Sequence, residues 1–357
     1  MNILYDYQVL LNKVSGASRS FCEIAHILKS EGNQIKFSFQ YSENLFLKEI
    51  LCEYHPFLPQ IDFKGKNHIR KLIENWHSRN DIRKNDFDLL HTTGENIYFE
   101  GLLKKPLVST IHDMIPEYYL KNSPRLKNRK RIIQIADRIV CVSENTKQEL
   151  LQYYSFADPD KIDVIYHGIS PIKVPYIDNQ WGDYILFVGV RKSYKNFAFA
   201  LEALIPLFKR NKSLRMLCTG SPFTKEEEKF ISHYQLEEQI INVGFVDNNT
   251  LFSLYHHAQL FIFPSLYEGF GIPILEAFIN QCPACISETS CFPEIAGDAA
   301  AYFNPKDKES ILSTITKVLE DSEYKNTLQQ KGEQRVKLFT WENAAHNMLN
   351  CYKKTQQ

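Results

Sequence analysis

The chain carries no charge of one sign in excess. Its 357 residues hold 42 Lys and Arg against 42 Asp and Glu, a formal net charge of zero. General nucleic-acid binding depends on a positive field, so no nucleic-acid partner is expected. No apolar run reaches the length of a membrane span. The segment Met1–Asn12 has no basic n-region and no small-residue cleavage site, so it does not read as a signal peptide. A cytoplasmic location is the expectation. There is no short internal repeat and no low-complexity tract, and no DxD-type carboxylate triplet stands in the candidate site loops to hold a metal. Cysteines number eight, but Cys282-Pro-Ala-Cys285 has no second pair of metal-ligand spacing. Proline inside that pair, with apolar residues after it, fits a loop entering a strand. Cys22, Cys141 and Cys218 lie in apolar segments and read as small core residues in a reducing compartment.

What is present is a soluble composition, 44% hydrophobic and 24% charged. The length is too great for one ordinary core and fits two domains. Apolar strand-like runs alternate with helical patterns. In the first half, strands are expected near Met1–Tyr5, Ile35–Phe39, Leu89–His91, Leu107–Ile111, Ile139–Val142 and Ile162–Tyr166. Helices fit Ser18–Ser30, Lys66–Arg79, Ser123–Ala136 and Glu144–Tyr153, the last capped from Ser143. Gly168–Asp183 holds Pro171, Pro175 and Gly182 with little periodicity and reads as a linker.

The alternation then restarts. Strands fit Tyr184–Gly189, Leu214–Thr219, Ile240–Val246, Gln259–Phe263, Ala284–Ser287 and Ala301–Phe303. Helices fit Asn196–Lys209, Lys225–Tyr234, Asn249–His257, Ile274–Asn280, Lys308–Leu319 and Trp341–Lys353. The expected fold class is α/β, with two Rossmann-like domains facing across a cleft. The first spans residues 1–175 and the second 176–338. Residues 339–357 form a terminal helix that packs back toward the first domain.

The most informative stretch is FIFPSLYEGFGIPILEAF, Phe261 to Phe278. A buried-strand run leads into a glycine loop, and the loop leads into a helix with Pro273 at its start. Free backbone N–H groups and a positive dipole end would face an anion there. Glu268 and Glu276 flank the turn and would repel a bare phosphate. A ligand with phosphates in the middle and hydroxyl-rich groups at both ends, such as a nucleotide-sugar, resolves the conflict.

Three weaker features accompany it. Arg191 and Lys195 lie in the strand-to-helix loop after Tyr184–Gly189 and suit a diphosphate, although a solvated turn carries the same residues. Gly16, before a helix, would let backbone approach a ligand or serve only as a turn. His112-Asp113 ends the strand Leu107–Ile111 and fits either a polar clamp or an ordinary polar turn. The basic stretch Lys121–Ile132 holds six cations and no acid. It reads as a solvated helix face, or as a patch that docks on an anionic membrane.

In their order these segments resemble the family 4 nucleotide-sugar glycosyltransferases, retaining enzymes of the GT-B fold. The resemblance rests on SGASRSF, STIHDMIPE, ADRIVCVSENTKQEL, KIDVIYHGI, VGVRKSYKNF, VGFVDNNTLFSLYHHA, FIFPSLYEGFGIPILEAF and FPEIAGDAAAYFNP, and covers nearly the whole chain. The glutamate pair is that family's E-x7-E motif.

The resemblance implies roles. Arg191 and Lys195 hold the donor diphosphate, and Glu276 the ribose hydroxyls. Glu268 faces the transferred sugar, and backbone of Gly269, Phe270 and Gly271 contacts sugar and phosphate. His112 reaches the donor sugar, Gly16 approaches the phosphate, and Phe245 and Val246 border the base. It further implies transfer of a hexosyl group with retention, without a metal or a cofactor beyond the nucleoside diphosphate sugar itself. The acceptor would be a hydroxyl of a growing surface glycan such as lipopolysaccharide, O-antigen or capsule. A lipid-linked oligosaccharide acceptor would bring peripheral contact with the cytoplasmic face of the inner membrane. The VGVRKSYKNF form resembles a mannosyl-transferring branch, which points to GDP-mannose or a related GDP-sugar. Two departures stand out: Ser15 replaces the first of two usual glycines, and the turn before Cys282-Pro283 reads Asn280-Gln281. A nucleotide-sugar epimerase and a non-catalytic glycan-binding protein are the competing classes.

Overall fold

A computed structural model describes residues 1–171 and 175–356. The expected linker Gly168–Asp183 lies partly outside the described residues. The chain divides into two units, Met1–Gly168 with Trp341–Gln357, and Ile169–Thr340. The first boundary falls seven residues before the expected 175. The backbone reason is that Ile169 N–H already donates to the Phe339 carbonyl of the second unit, at 3.0 Å.

The first unit is built on a sheet of β1 (Asn2–Tyr5), β2 (Gln34–Phe37), β3 (Leu89–Thr92), β4 (Leu107–Ile111), β5 (Arg138–Cys141) and β6 (Ile162–Val164). All neighbours pair parallel, in the order β2-β1-β3-β4-β5-β6. β3 and β4 are buried along their whole length, as strands covered by helices on both faces should be. Ile3, which pairs with both Ile35 and Leu89, sits in the core.

The second unit repeats the plan with β7 (Tyr184–Phe187), β8 (Arg215–Thr219), β9 (Ile240–Gly244), β10 (Leu260–Phe263), β11 (Ala284–Ser287) and β12 (Ala300–Phe303). Its parallel order is β12-β11-β10-β7-β8-β9. Each sheet has one place where the strand order reverses, between β1 and β3 in the first and between β7 and β10 in the second. Crevices at the carboxyl ends of strands beside such reversals are where ligands of these sheets bind.

Four helices among the described residues were not evident from apolar spacing, the five-residue Ile115–Tyr119 and Phe292–Ala296 and two longer ones. Leu45–Leu51 is short, with Asn44 as its cap. Ser322–Val336 is nearly all polar and buries only Leu328, Gly332 and Val336. Gly332 is required there, because a Cβ would come within 2.8 Å of the Phe278 ring. That contact seats the helix against Ile272–Ile279, which carries Glu276.

The helix Trp341–Lys354 belongs to the first unit and buries Trp341, Ala344, Ala345, Met348, Cys351 and Tyr352 on one face. These residues join the same core as Ile3, Phe21 and Leu89. The Tyr352 hydroxyl lies 2.7 Å from the Tyr5 hydroxyl and 2.7 Å from His91 Nδ1, so its two polar neighbours on β1 and β3 are satisfied by it. Tyr352→Ala should cost about 3–5 kcal/mol of stability in urea unfolding, and Tyr352→Phe about 1–2 kcal/mol. An alanine variant as stable as the parent would show this helix to be dispensable to the first core.

Candidate active site

In the second unit the sheet order places the Arg191/Lys195 loop, after β7, beside the Glu268 loop, after β10. The loops are joined by Leu266 N–H donating to the Tyr194 carbonyl at 2.7 Å. Lys195 Nζ lies 2.5 Å from Glu268 Oε1, both side chains being largely buried. Lys195 also sits 5.2 Å from the centre of the Phe263 ring. The two residues expected to serve different parts of a ligand are therefore direct partners.

The Glu268–Gly271 loop is held from behind. Ser290 Oγ donates to the Glu268 carbonyl at 2.5 Å, and Cys291 Sγ to that of Phe270 at 3.1 Å. Gly271, at φ 95°, caps the helix Ile272–Ile279, with Pro273 in its first turn. A Cβ on Gly271 would meet Ile274 and Phe292 at 3.1 and 3.2 Å. The left-handed backbone and the tight packing both demand glycine. One turn into this helix Glu276 is buried, and its Oε2 accepts from the Tyr255 hydroxyl at 3.1 Å. Burial, reinforced by the Glu276 carboxylate, pushes the Tyr255 phenol well up and keeps it a donor.

Arg191 has other partners than Lys195. Its Nε donates to Glu227 at 3.0 Å, and its Nη2 to the Ser221 and Pro222 carbonyls at 2.6 and 2.7 Å. The guanidinium lies over Phe223. Only Nη1 is buried with no hydrogen-bond partner among the described residues. So Arg191 first of all fixes the loop after β8. That loop starts at Gly220, where a Cβ would come within 3.0 Å of the Gly189 carbonyl. The ends of β7 and β8 thus approach backbone to backbone. Phe245, directly after β9, is 79% exposed, an apolar face left uncovered at the same edge. Val246 beside it is half-buried.

In the first unit a cavity of about 470 Å³ opens at the carboxyl ends of β3 and β4, beside the reversal of strand order. Gln8, Thr93, Glu95, His112, Asp113 and Arg129 are among its walls. The His112 ring stacks at 19° on His167, 5.9 Å away, and its Nε2 is buried without a hydrogen-bond partner among the described residues. Burial drives the His112 pKa down to about 4. Burial, then the neighbouring His112, drives His91 and His167 each to about 3. All three are neutral imidazoles at neutral pH.

Asp6, unremarked as a sequence feature, is fully buried at the end of β1. It accepts from Thr92 Oγ1 and Thr93 N, both at 2.9 Å, and from Gln8 Nε2 at 2.6 Å. Burial raises its pKa. Gly16 opens the helix Gly16–Ser30, and Ser15 is its cap, in a reciprocal box with Ser18. The departure from a second glycine thus supplies a capping hydroxyl.

The basic stretch Lys121–Ile132 is not the acid-free face it seemed. Glu95, Glu100 and Glu117 come to it from other segments. Arg129 is buried between Glu95 and Glu117, Arg125 pairs with Glu95 and Arg131 with Glu100. Arg129 Nη1 also donates to the Asp113 carbonyl at 2.7 Å, which pins the turn carrying His112. Burial would raise the Glu95 carboxyl, but Arg129 and Arg125 outweigh it and hold it low. Cys282 and Cys285 are both buried, and burial pushes both thiols far up, so they are apolar core groups rather than thiolates.

Two parallel six-stranded units with these motifs at the strand ends define a GT-B glycosyltransferase. Residues 14–172 match the model of Glycosyltransferase Family 4, and residues 178–335 that of Glycosyl transferases group 1. The chain belongs to the glycosyltransferase family built from these two domains. Among curated relatives, it is 29% identical over 281 residues to O-antigen chain mannosyltransferase B of Escherichia coli, covering 73% of each chain. It is 27% identical over 214 residues to O-antigen chain mannosyltransferase RfbU of Salmonella typhimurium, covering 58% of this chain and 60% of the relative. The solved structure of Anabaena Alr3699/HepE in complex with UDP and glucose superposes with a TM-score of 0.78 at 16% identity, over 98% of both chains. At that identity the likeness concerns the fold.

The three buried histidines carry a pH signature. Unfolded, each takes up a proton near pH 6.5, but folded only near pH 3–4. Between those values the unfolded chain binds more protons, so stability rises with pH. Their contribution is complete above about pH 6.5 and is lost as pH falls, by about 1.4 kcal/mol per pH unit for each histidine. Urea midpoints measured from about pH 7 down to about pH 5 should fall, and replacing His167 with Gln should flatten the slope. A flat wild-type profile would rule out neutral buried imidazoles.

Proposed function

We propose that the protein transfers a hexosyl group, with retention and without a metal, from a nucleoside diphosphate sugar to a hydroxyl of a growing surface glycan. GDP-mannose or a related GDP-sugar is the proposed donor. The observation that carries the reading is the contact of Lys195 with Glu268 at the β7/β10 reversal, with Glu276 one helical turn beyond. The relatives named for O-antigen mannosyl transfer support the donor and acceptor class. A lipid-linked oligosaccharide is the proposed form of the acceptor.

In this reading the diphosphate lies over the amino end of Ile272–Ile279, with Lys195 and Arg191 Nη1 as its cations. Charge grows on the leaving diphosphate as the anomeric bond breaks. Preorganised donors there stabilise that charge without reorganisation. Glu276, oriented by Tyr255, takes the ribose hydroxyls, and Glu268 takes hydroxyls of the sugar. Gly269, Phe270 and Gly271 offer backbone N–H groups, and Phe245 with Val246 gives the base an apolar face. His112 acts as a neutral polar clamp, since its depressed pKa keeps it uncharged at working pH.

Lys195→Ala should lower turnover by ~10²-fold, about 3 kcal/mol of transition-state stabilisation. Near-normal turnover would sink the diphosphate assignment. In thermal shift, GDP should raise the melting temperature more than UDP, dTDP or ADP, because only a ligand of the folded state stabilises it. A larger shift with UDP would reassign the base. Transfer should persist in excess chelator; loss restored by Mn²⁺ would refute a metal-free mechanism.

A further inference from the structure

One side-chain hydroxyl meets the backbone of Glu268 at both of its polar groups. Ser290 Oγ accepts from the Glu268 N–H at 3.3 Å and donates to the Glu268 carbonyl at 2.5 Å. A serine hydroxyl can do both at once. Ser290 stands in the loop between β11 and the helix Phe292–Ala296, at φ 58°. That is left-handed backbone, which glycine adopts readily and a residue with a Cβ rarely does. Glycine would form the turn with less strain but would bring no hydroxyl. Serine carries the strain and supplies the two bonds.

Its neighbours repeat the contact along the same loop. Thr289 Oγ1 donates to the Leu266 carbonyl at 3.4 Å. Cys291 Sγ lies 3.3 Å from the Glu268 carbonyl and 3.1 Å from that of Phe270. The Phe292 ring closes the row against Gly271. β10 and β11 pair through backbone as far as Phe263 and Ile286. Beyond that point the side chains of residues 289–291 take over and receive the carbonyls of residues 266, 268 and 270. The peptides are trans, so each C=O and the N–H that follows it point in opposite directions. Carbonyls held on the β11 side therefore turn the amides of Tyr267, Gly269 and Gly271 away from β11. In the sheet order, β7 and its Lys195 loop lie on that other side of β10.

Glu276 has supports of its own. Tyr255 orients its carboxylate, and the Gly332–Phe278 contact seats its helix. We infer that Ser290 is a positioning residue, which fixes the Glu268 side chain and the Gly269 amide for the transferred sugar, with Thr289 and Cys291 completing the template. The role rests on the reading above that Glu268 faces the donor sugar. It entails a split between the two ends of the donor. Loss of the hydroxyl should damage events at the sugar and spare the hold on the nucleoside diphosphate.

Ser290→Gly and Ser290→Ala are compared with the parent in the full chain. Glycine removes the hydroxyl and relieves the left-handed backbone, whereas alanine removes the hydroxyl and keeps the Cβ. Both should lower kcat with GDP-mannose by about tenfold or more. Affinity for GDP alone, measured by calorimetry, should stay within about threefold of the parent. UDP-glucose and UDP take their places if the parent prefers uridine. The melting temperature should fall less in the glycine variant than in the alanine variant, so that turnover follows the hydroxyl and not stability. Amide exchange of residues 266–271 without ligand, read by mass spectrometry, should speed up at least about tenfold in both variants, with β10 unchanged. Three results would overturn the proposal: parent-like turnover in the glycine variant, equal losses of turnover and GDP affinity, or unchanged exchange at 266–271. A parent chain that turns over no donor would reject the transferase reading instead. Exchange at 266–271 would then decide by itself whether Ser290 holds the loop.

Discussion

Parallel pairing of β10 with β7 is the constraint on which the second unit depends. The strands are more than seventy residues apart in the chain, yet Leu260 aligns with Ile185. Because both run the same way, both carboxyl ends emerge at one edge. A cation loop and a carboxylate loop are then forced into contact. The Lys195–Glu268 pair, the Leu266–Tyr194 bond and the dipole of Ile272–Ile279 all follow from that pairing. An antiparallel β10 would send the Glu268 loop to the other edge.

The first unit applies the same rule with different chemistry. At its reversal stand a buried acid, Asp6, and a neutral imidazole, His112, rather than a cation and a carboxylate. Both have pKa values moved by burial toward the uncharged form. The cavity beside them is also walled by charge, with Glu95 and Arg129 held as an ion pair. The buried Arg129, paired with Glu95 and Glu117 and bonded to the Asp113 carbonyl, holds the wall of that cavity in place.

Most strands were legible in the sequence because buried parallel strands are short apolar runs with little alternation. The glutamate loop was legible too, since glycine, proline and carboxylate fall within a dozen residues of one another. What could not be read was set by distant partners. Glu227 and the Ser221 and Pro222 carbonyls claim most of Arg191, and Tyr255 orients Glu276. Glu95, Glu100 and Glu117 turn a basic run into an ion-paired helix. The helix Ser322–Val336 escaped notice because its stability comes from caps and three buried contacts, not from an apolar stripe. Asp6 gave no local sign, for its role depends on β3 lying beside β1.

The seating of Trp341–Lys354 on the first core also bears on the order of synthesis. The first unit is split in sequence by all of Ile169–Thr340. A ribosome adding about 5–20 residues per second spends roughly 10–30 s on that insert. Throughout that interval the surface later covered by Trp341, Met348 and Tyr352 stays open, with Tyr5 and His91 lacking their shared partner. The nascent first unit must therefore wait, incomplete and with an apolar face uncovered, while the second folds. Holding such an intermediate apart from its neighbours becomes a requirement of making the protein at all.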